Sequence, residues 1–398
     1  MSTPSPRHDT RELTDELTRQ TAVERLQTHL GLDVTGTKAT TEMVFNVLLH
    51  AASTGQSVEA SCEELVESAD SNTIRDYLND YFTVDNLEEI ESQINSCLTT
   101  EIPRKARRGK QDVCIDLHDQ PFYGKDVELN KYACRGEAKS GTTHFFRVAT
   151  LYLIHNNIRL TLGIIFVLKD TDLLSIVVNL LKDLNCKKIR LGRLYLDRGF
   201  ASTAIYKFLV KEKYSAIIAC PIKGKLTGKG TKSLCKGRKS YFTSHTFKSQ
   251  THGSCTVKLA MIRYFVKSTK TEKRSLDWAA FVLINTKPPL NKIFLLYRHR
   301  FGIESSYRLM RQLRIPTNSR NPMIRFIYMS LGFILVNVWL LLKFLYTQLP
   351  KRGRGGRSLN HALFRLKCFA SFIRHAVERI YSFKTSIVAS HLPIGVVS

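Results

Sequence analysis

The feature that most constrains the fold of this chain is a regular alternation of apolar runs and amphipathic segments between residues 112 and 221. Short apolar runs bounded by turn residues predict strands, whereas apolar side chains at three- and four-residue spacing predict helices. Strands that alternate with helices build an α/β domain around one sheet. The patterns predict strands at 112–117, 145–154, 158–168, 188–196 and 215–221, a turn at 155–157, and helices at 171–184 and 201–213.

The predicted order, β-β-β-α-β-α-β, is that of an RNase H-like domain. Residues 223–289 interrupt it with a Gly- and Lys-rich loop and further strand-like runs, which indicate a β-rich insertion. A long helix is predicted from Pro289 to Arg314, and a hydrophobic helix follows at 322–348. The predicted fold class is α/β, with an RNase H-like core at 101–222 and 290–348, a β-rich segment inserted at 223–289, and an all-α N-terminal region.

Charge divides the chain at residues 102–110. Residues 1–100 hold about 6 Lys and Arg against about 18 Asp and Glu, whereas residues 101–398 hold about 54 against about 16. So basic a segment, on a chain with enough hydrophobic residues for a large core, predicts DNA or RNA as the partner. We therefore expect a separate helical region at 1–100, and a basic helical tail at 349–398.

The N-terminal region contains a helical pair at 57–82 that resembles a helix-turn-helix. Ser71 is the expected N-cap of its second helix, which runs to Tyr81. Arg75 is the only basic residue on that helix and is a candidate DNA-binding residue. Because acidic residues share the helix, the sequence is equally consistent with an ordinary helical hairpin that does not bind DNA.

Two features bear on the cellular compartment. Residues 326–342 are uncharged and nearly all apolar, at the short edge of a membrane span. A single late span would explain nothing else in the chain, so we interpret this run as a helix buried against a sheet in a large domain. The nine cysteines are dispersed without zinc-site spacing, and the N-terminus has no apolar signal segment, which predicts reduced thiols in a cytoplasm.

Three of the few carboxylates in the basic region stand where a metal-dependent nuclease needs them. Asp116 and Asp197 each end a predicted strand, and Glu304 lies on a predicted helix. Strand ends and a helix can bring such distant residues together. A trio of this kind can hold two divalent ions that activate a water or a 3′-hydroxyl and stabilise the leaving oxygen. Oxygen ligands favour Mg²⁺ or Mn²⁺ over zinc.

At these residues the chain resembles the DDE transposases of the IS4-like group, and among them the ISH3-type elements of archaea and bacteria. That group carries a Tyr, Arg, Glu and Lys signature with two, three and six residues between its members. In this sequence the four places hold Tyr297, Arg300, Glu304 and Arg311, so Arg stands where the family has Lys. LYLDRGF, with Asp197, is similar to the second motif of the group, and IDLHDQPFYG, with Asp116, to its first.

The resemblance implies that Asp116, Asp197 and Glu304 are the catalytic metal ligands. It also implies that signature residues hold the terminal phosphates of the DNA. On one continuous helix, positions three and four residues apart share a face, which adds Arg308 to that set. The phosphate-binding candidates on this face are Tyr297, Arg300, Arg308 and Arg311.

Several neighbouring residues have open roles. Asp119 is an alternative to Asp116 as the metal ligand, because a strand end can bulge. Arg198 is a candidate DNA contact, or a partner for a carboxylate. His118 and His299 are expected to be surface or positioning residues rather than metal ligands, and His144 is expected to be a strand residue. Phe122 and Tyr123 either fill the core, which is the favoured interpretation, or stack on a base.

The expected function is that of a DNA transposase, which cuts the ends of an insertion sequence and joins them to target DNA by metal-dependent hydrolysis and transesterification. The expected partners are double-stranded DNA and a second copy of the chain in a synaptic homodimer, and the expected compartment is a prokaryotic cytoplasm, at the nucleoid. A stand-alone RNase H-like metal nuclease would use the same three carboxylates. A non-catalytic DNA-binding protein derived from a transposase is a further alternative, but no carboxylate is lost here.

Overall fold

The computed structural model describes residues 12–103, 107–124, 129, 131–155, 158–267, 274–350, 357–360 and 362–386. Residues 156–157 of the predicted turn, residues 104–106 of the charge boundary, and residues 351–356, 361 and 387–398 of the basic tail lie outside these residues. The chain divides into two compact units, one of residues 94–309 and one of residues 1–93 with 310–398. The second unit therefore joins the two ends of the chain, which the sequence analysis had assigned to separate segments.

The unit of residues 94–309 is built on a nine-stranded sheet. Its order is β2-β3-β1-β5-β6-β9-β8-β7, with β4 also paired to β3. The strands are β1 (Lys110–Pro121), β2 (Cys134–Lys139), β3 (Thr142–His155), β4 (Ile158–Val167), β5 (Arg190–Leu196), β6 (Ala216–Cys220), β7 (Tyr241–Ser249), β8 (Gly253–Lys267) and β9 (Arg274–Ile284).

Five of these strands form the core that the sequence predicted. β1, β5 and β6 are parallel to one another, and β3 runs antiparallel between β1 and β4. Helix α6 (Leu173–Cys186) connects β4 to β5, and α7 (Thr203–Lys211) connects β5 to β6. Parallel strands need such crossover helices, whereas antiparallel ones need only turns. This mixed α/β arrangement is that of an RNase H-like core, as predicted; β2 was not predicted.

The inserted segment continues the same sheet. β9 pairs antiparallel with β6, and β8 and β7 follow it outward. The Lys-rich loop before β7 is held by Thr231, whose buried hydroxyl donates to the Pro221 carbonyl at 2.8 Å and accepts the Lys223 amide at 2.8 Å. The insertion therefore shares its hydrogen-bond network with the core.

The long helix predicted from Pro289 to Arg314 is wrong. The chain forms α8 (Leu290–Arg298), one 3₁₀ turn (His299–Phe301) and α9 (Gly302–Arg311). The break leaves Tyr297 on α8, Arg300 on the 3₁₀ turn, and Glu304 and Arg308 on α9. These residues therefore do not lie on the one continuous helix from which a shared face was expected.

The unit of residues 1–93 and 310–398 is mainly helical. The C-terminal helix α11 (Leu366–Tyr381) packs against both α1 (Asp15–His29) and α2 (Thr41–Thr54). The Arg379 guanidinium on α11 binds both carboxylate oxygens of Asp15 at 2.9 and 3.1 Å. The C-terminal helix thus completes the N-terminal helical layer. The elements of this unit are α1 (Asp15–His29), α2 (Thr41–Thr54), α3 (Val58–Glu64), α4 (Ser71–Tyr81), the start of α5 (Leu87–Thr99), α10 (Pro322–Tyr346), α11 (Leu366–Tyr381), and the short strands β10 (Gln348–Pro350) and β11 (Arg357–Leu359).

α10 is the apolar helix whose sequence raised the question of a membrane. It is long and apolar enough to span a bilayer, but nearly all of its apolar window is buried inside the structure. Within its unit it contacts α1, α11 and β10. The prediction of a buried helix is confirmed, and the expectation that a sheet covers it stays a prediction.

The predicted helical pair at 57–82 is present as α3 and α4. The N-cap of α4 is Asp70, not Ser71: the Asp70 carboxylate accepts the backbone N–H groups of Asn72 and Thr73 at 2.8 and 3.2 Å. Asp accepts these bonds as well as Ser does, and its charge favours the positive helix end. Arg75 is exposed on α4 and contacts the Asn72 side chain. A role of this helix in DNA recognition stays a prediction.

Candidate active site

The register of β1 and β5 brings two of the three predicted carboxylates together. The last parallel pair joins Ile115 to Leu196, so Asp116 and Asp197 are the next residues of two neighbouring strands. Neighbouring strands lie about 4.8 Å apart, which places the two side chains within reach of one shared cation. The prediction that Asp116 ends its strand is wrong, because β1 continues to Pro121 by pairing with β3.

Asp197 leaves the sheet at this point. Its carboxylate accepts the backbone N–H of Arg198 at 2.6 Å and caps the 3₁₀ turn Arg198–Phe200. This bond holds one carboxylate oxygen at the strand end, while the side chain remains 37% exposed. The Arg198 side chain is exposed beside it.

A buried guanidinium lies against both aspartates. Arg300 Nη1 is 3.5 Å from Asp116 Oδ1, and Arg300 Nη2 is 3.7 Å from Asp197 Oδ1. The Arg300 side chain is only 12% exposed and that of Asp116 only 18%. A cationic group thus already occupies the space that the two carboxylates share.

Tyr297 contacts both the end of β5 and the Arg300 side chain. Its hydroxyl donates to the Leu196 carbonyl at 3.1 Å, one residue before Asp197, and its ring lies 4.9 Å from the Phe281 ring. The Arg300 guanidinium sits 5.4 Å from the centre of the same ring, a cation–π distance. Tyr297 is only 5% exposed, so the expected phosphate contact is not available to it in this conformation. Its observed role is to hold the end of β5.

A second tyrosine, Tyr307, which no sequence motif had indicated, ties α9 to the sheet. The buried Tyr307 hydroxyl is 2.8 Å from the Thr150 hydroxyl, and Thr150 is the β3 partner of Asp116. The Tyr307 ring also stacks on His118 at 4.6 Å. This contact agrees with the positioning role expected of His118. The available signal was the position of Tyr307 three residues after Glu304, on the apolar side of an amphipathic helix.

Glu304 stands in the first turn of α9, exposed to solvent. Burial raises the pKa of Asp116 to about 6; Arg300 opposes this rise, and the charges of Asp197 and Glu304 add to it. The three carboxylates therefore act on one another electrostatically. Within the described part of the chain, however, no three His, Cys, Asp or Glu side chains are close enough together to enclose a metal ion.

Asp119, the alternative ligand, is engaged elsewhere. Its two oxygens bind the Arg147 side chain at 2.6 and 3.1 Å. A bidentate pair of this kind satisfies the carboxylate with a fixed cation. Asp116 is therefore the better candidate, since its partner Arg300 lies beyond hydrogen-bond distance.

The other candidate residues differ in position. Arg308 is exposed on α9, four residues after Glu304, whereas Arg311 and Arg75 belong to the other compact unit. His299 is exposed on the 3₁₀ turn. Phe122 is buried against Phe146, as expected of a core residue, and Tyr123 is exposed, with its hydroxyl bonded to the Ser140 carbonyl. His144 is a half-buried strand residue.

Residues 167–337 match the family model described as the transposase DDE domain. This segment is therefore similar to the DDE domain of transposases. The family match begins after β1, so it includes Asp197 and Glu304 but not Asp116, which the fold places beside Asp197.

The structure of this chain is also similar to a solved one. It aligns with a piggyBac transposase, in a cryo-EM structure of its synaptic complex with hairpin DNA, at a TM-score of 0.57 and 12% sequence identity. The alignment covers 94% of this chain and 82% of that one, so the two chains share a similar fold. No curated protein matches the chain in sequence.

Proposed function

We propose that this chain is a DNA transposase of the IS4-like, ISH3-type group, which cuts the ends of an insertion sequence and joins them to target DNA. The observation that carries the proposal is the register of β1 and β5, which sets Asp116 beside Asp197 against one buried cationic group. Two adjacent carboxylates repel each other, and burial adds to the cost of their charges, so such a pair needs a cation beside it.

Asp116, Asp197 and Glu304 are the residues that would hold divalent metal. The fit is chemical: all their donor atoms are oxygen, which suits Mg²⁺ or Mn²⁺, and the space between the aspartates already attracts a cation, the Arg300 guanidinium. When bound, two such ions supply the activation of water or a 3′-hydroxyl and the stabilisation of the leaving oxygen. The protein itself contributes orientation, through the bond of Tyr297 to the end of β5 and the bond of Tyr307 to Thr150 on β3, the strand partner of Asp116.

The proposed partner is double-stranded DNA, both element ends and target. The exposed guanidiniums of Arg198 and Arg308 are the nearest candidates for its phosphates, and Arg311 follows on α9. We further propose a synaptic homodimer, because joining two ends requires two active sites, and a prokaryotic, nucleoid-associated location. The piggyBac complex, a synaptic assembly with hairpin DNA, supports the first of these by analogy.

An excision assay tests the proposal. A plasmid would carry the coding sequence with its natural flanking DNA, and excision would be measured by PCR across the repaired site. Wild type should excise the element in Mg²⁺, and Asp116→Ala, Asp197→Ala and Glu304→Ala should each abolish excision while DNA binding persists. Asp119→Ala is the matched control and should retain activity, because its carboxylate is bound to Arg147.

The outcomes separate the competing functions. Cleavage that needs no flanking sequence would favour a stand-alone nuclease. DNA binding without any cleavage by wild type would favour a non-catalytic protein. Robust excision by the Glu304 variant would remove that residue from the site, and activity of Asp116→Ala with loss in Asp119→Ala would reverse the choice of aspartate.

A further inference from the structure

The Arg300 guanidinium lies within 3.7 Å of a carboxylate oxygen of both Asp116 and Asp197. We propose that its guanidinium is a built-in counter-cation for these two carboxylates, and that a divalent ion binds only by displacing it. The inference rests on the proposed function, because it concerns the same carboxylates. It gives Arg300 a task in the DNA-free protein, besides the phosphate contact expected from the sequence.

The distances describe a contact that is electrostatic and replaceable. Both nitrogen–oxygen separations, 3.5 and 3.7 Å, exceed the usual hydrogen-bond range. In contrast, the Asp119–Arg147 pair on the same strand has an N–O distance of 2.6 Å and two hydrogen bonds. The guanidinium therefore neutralises the aspartates without consuming their oxygen lone pairs, which remain as ligands for a harder cation.

The contact is nevertheless sheltered. Arg300 is 12% exposed and lies over the Tyr297 ring, so water screens its attraction to the aspartates only in part. A guanidinium also stays charged at all physiological pH values. The guanidinium side of the contact is therefore constant with pH. While both carboxylates are ionised, a competing cation on them or a competing anion on the guanidinium can break the contact.

A DNA phosphate is such an anion, because it accepts two parallel hydrogen bonds from a guanidinium. A phosphate that draws Arg300 away leaves Asp116 and Asp197 open to metal, and metal on the aspartates leaves Arg300 open to phosphate. By linkage, each ligand then raises the affinity for the other by the same factor. The consequence is a site that holds metal weakly until DNA is in place.

The test is Mn²⁺ binding to the full chain without DNA, measured from the EPR signal of free Mn²⁺. We expect Arg300→Ala and Arg300→Gln to bind Mn²⁺ about tenfold more tightly than wild type, the change that loss of one competing charged contact produces. The matched control is Arg298→Ala, which removes the same charge from an exposed position two residues before Arg300. Its Mn²⁺ affinity should equal that of wild type.

Two readings separate the possible failures. Equal or weaker Mn²⁺ binding by both Arg300 variants, beside measurable binding by wild type, would overturn the counter-cation and leave the metal site standing. Absence of Mn²⁺ binding in every protein would overturn the metal site as well. Because the glutamine variant keeps most of the side-chain volume, it guards against a folding defect, and circular dichroism before and after Mn²⁺ addition checks the fold of each variant.

Discussion

Asp116→Asn should stabilise the metal-free protein at neutral pH, although it removes a predicted metal ligand. Burial raises the pKa of Asp116 from 3.8 to about 6. The folded protein therefore binds the Asp116 proton more tightly than the unfolded chain does, and its stability falls as pH rises between these two values. The difference corresponds to about 3 kcal/mol at pH 7. Asparagine keeps the shape of the side chain and carries no charge, so it removes this cost.

The assay is urea unfolding in EDTA, for wild type and Asp116→Asn, from pH 4 to pH 7.5. The variant should gain stability relative to wild type as pH rises, reaching up to about 3 kcal/mol above pH 6. Asp119→Asn is the contrasting control on the same strand. It breaks a bidentate pair with Arg147 and should lose about 1–2 kcal/mol. A destabilised Asp116→Asn at pH 7.5 would show that this carboxylate is favoured by its surroundings, and the electrostatic argument would fail.

Three further outcomes follow from single contacts. Tyr297→Phe removes the hydroxyl that donates to the Leu196 carbonyl; it should cost about 1 kcal/mol in urea unfolding and slow end cleavage without changing affinity for random DNA. Deletion of residues 1–93 removes both helices on which α11 packs, so the shortened chain should aggregate on size-exclusion chromatography; a monodisperse product would contradict this. Gly332→Ala would place a Cβ 2.9 Å from the Met310 carbonyl inside the helical unit, and a lower melting temperature in a thermal scan is expected.

Much of the core could be predicted because its signals are local. Strand and helix positions follow from hydrophobic period, and β3, β4, α6 and β5 lie within a few residues of their predicted bounds. β2 escaped because CRGEAK is too polar and short to show alternation. The candidate carboxylates were found because Asp and Glu are scarce in a basic chain.

The sequence by itself determined the α/β class, the helical N-terminal region and the two aspartates that follow apolar strand segments, since each depends on residues close together in the chain. Only the tertiary structure decided what those side chains meet. Tyr297 on α8 reaches inward to Leu196, and Arg300 on the 3₁₀ turn lies against both aspartates. Arg147 binds Asp119, and α11 packs on α1 and α2. These contacts join residues up to hundreds of positions apart, so their geometry depends on strand register and helix packing, which no local pattern encodes.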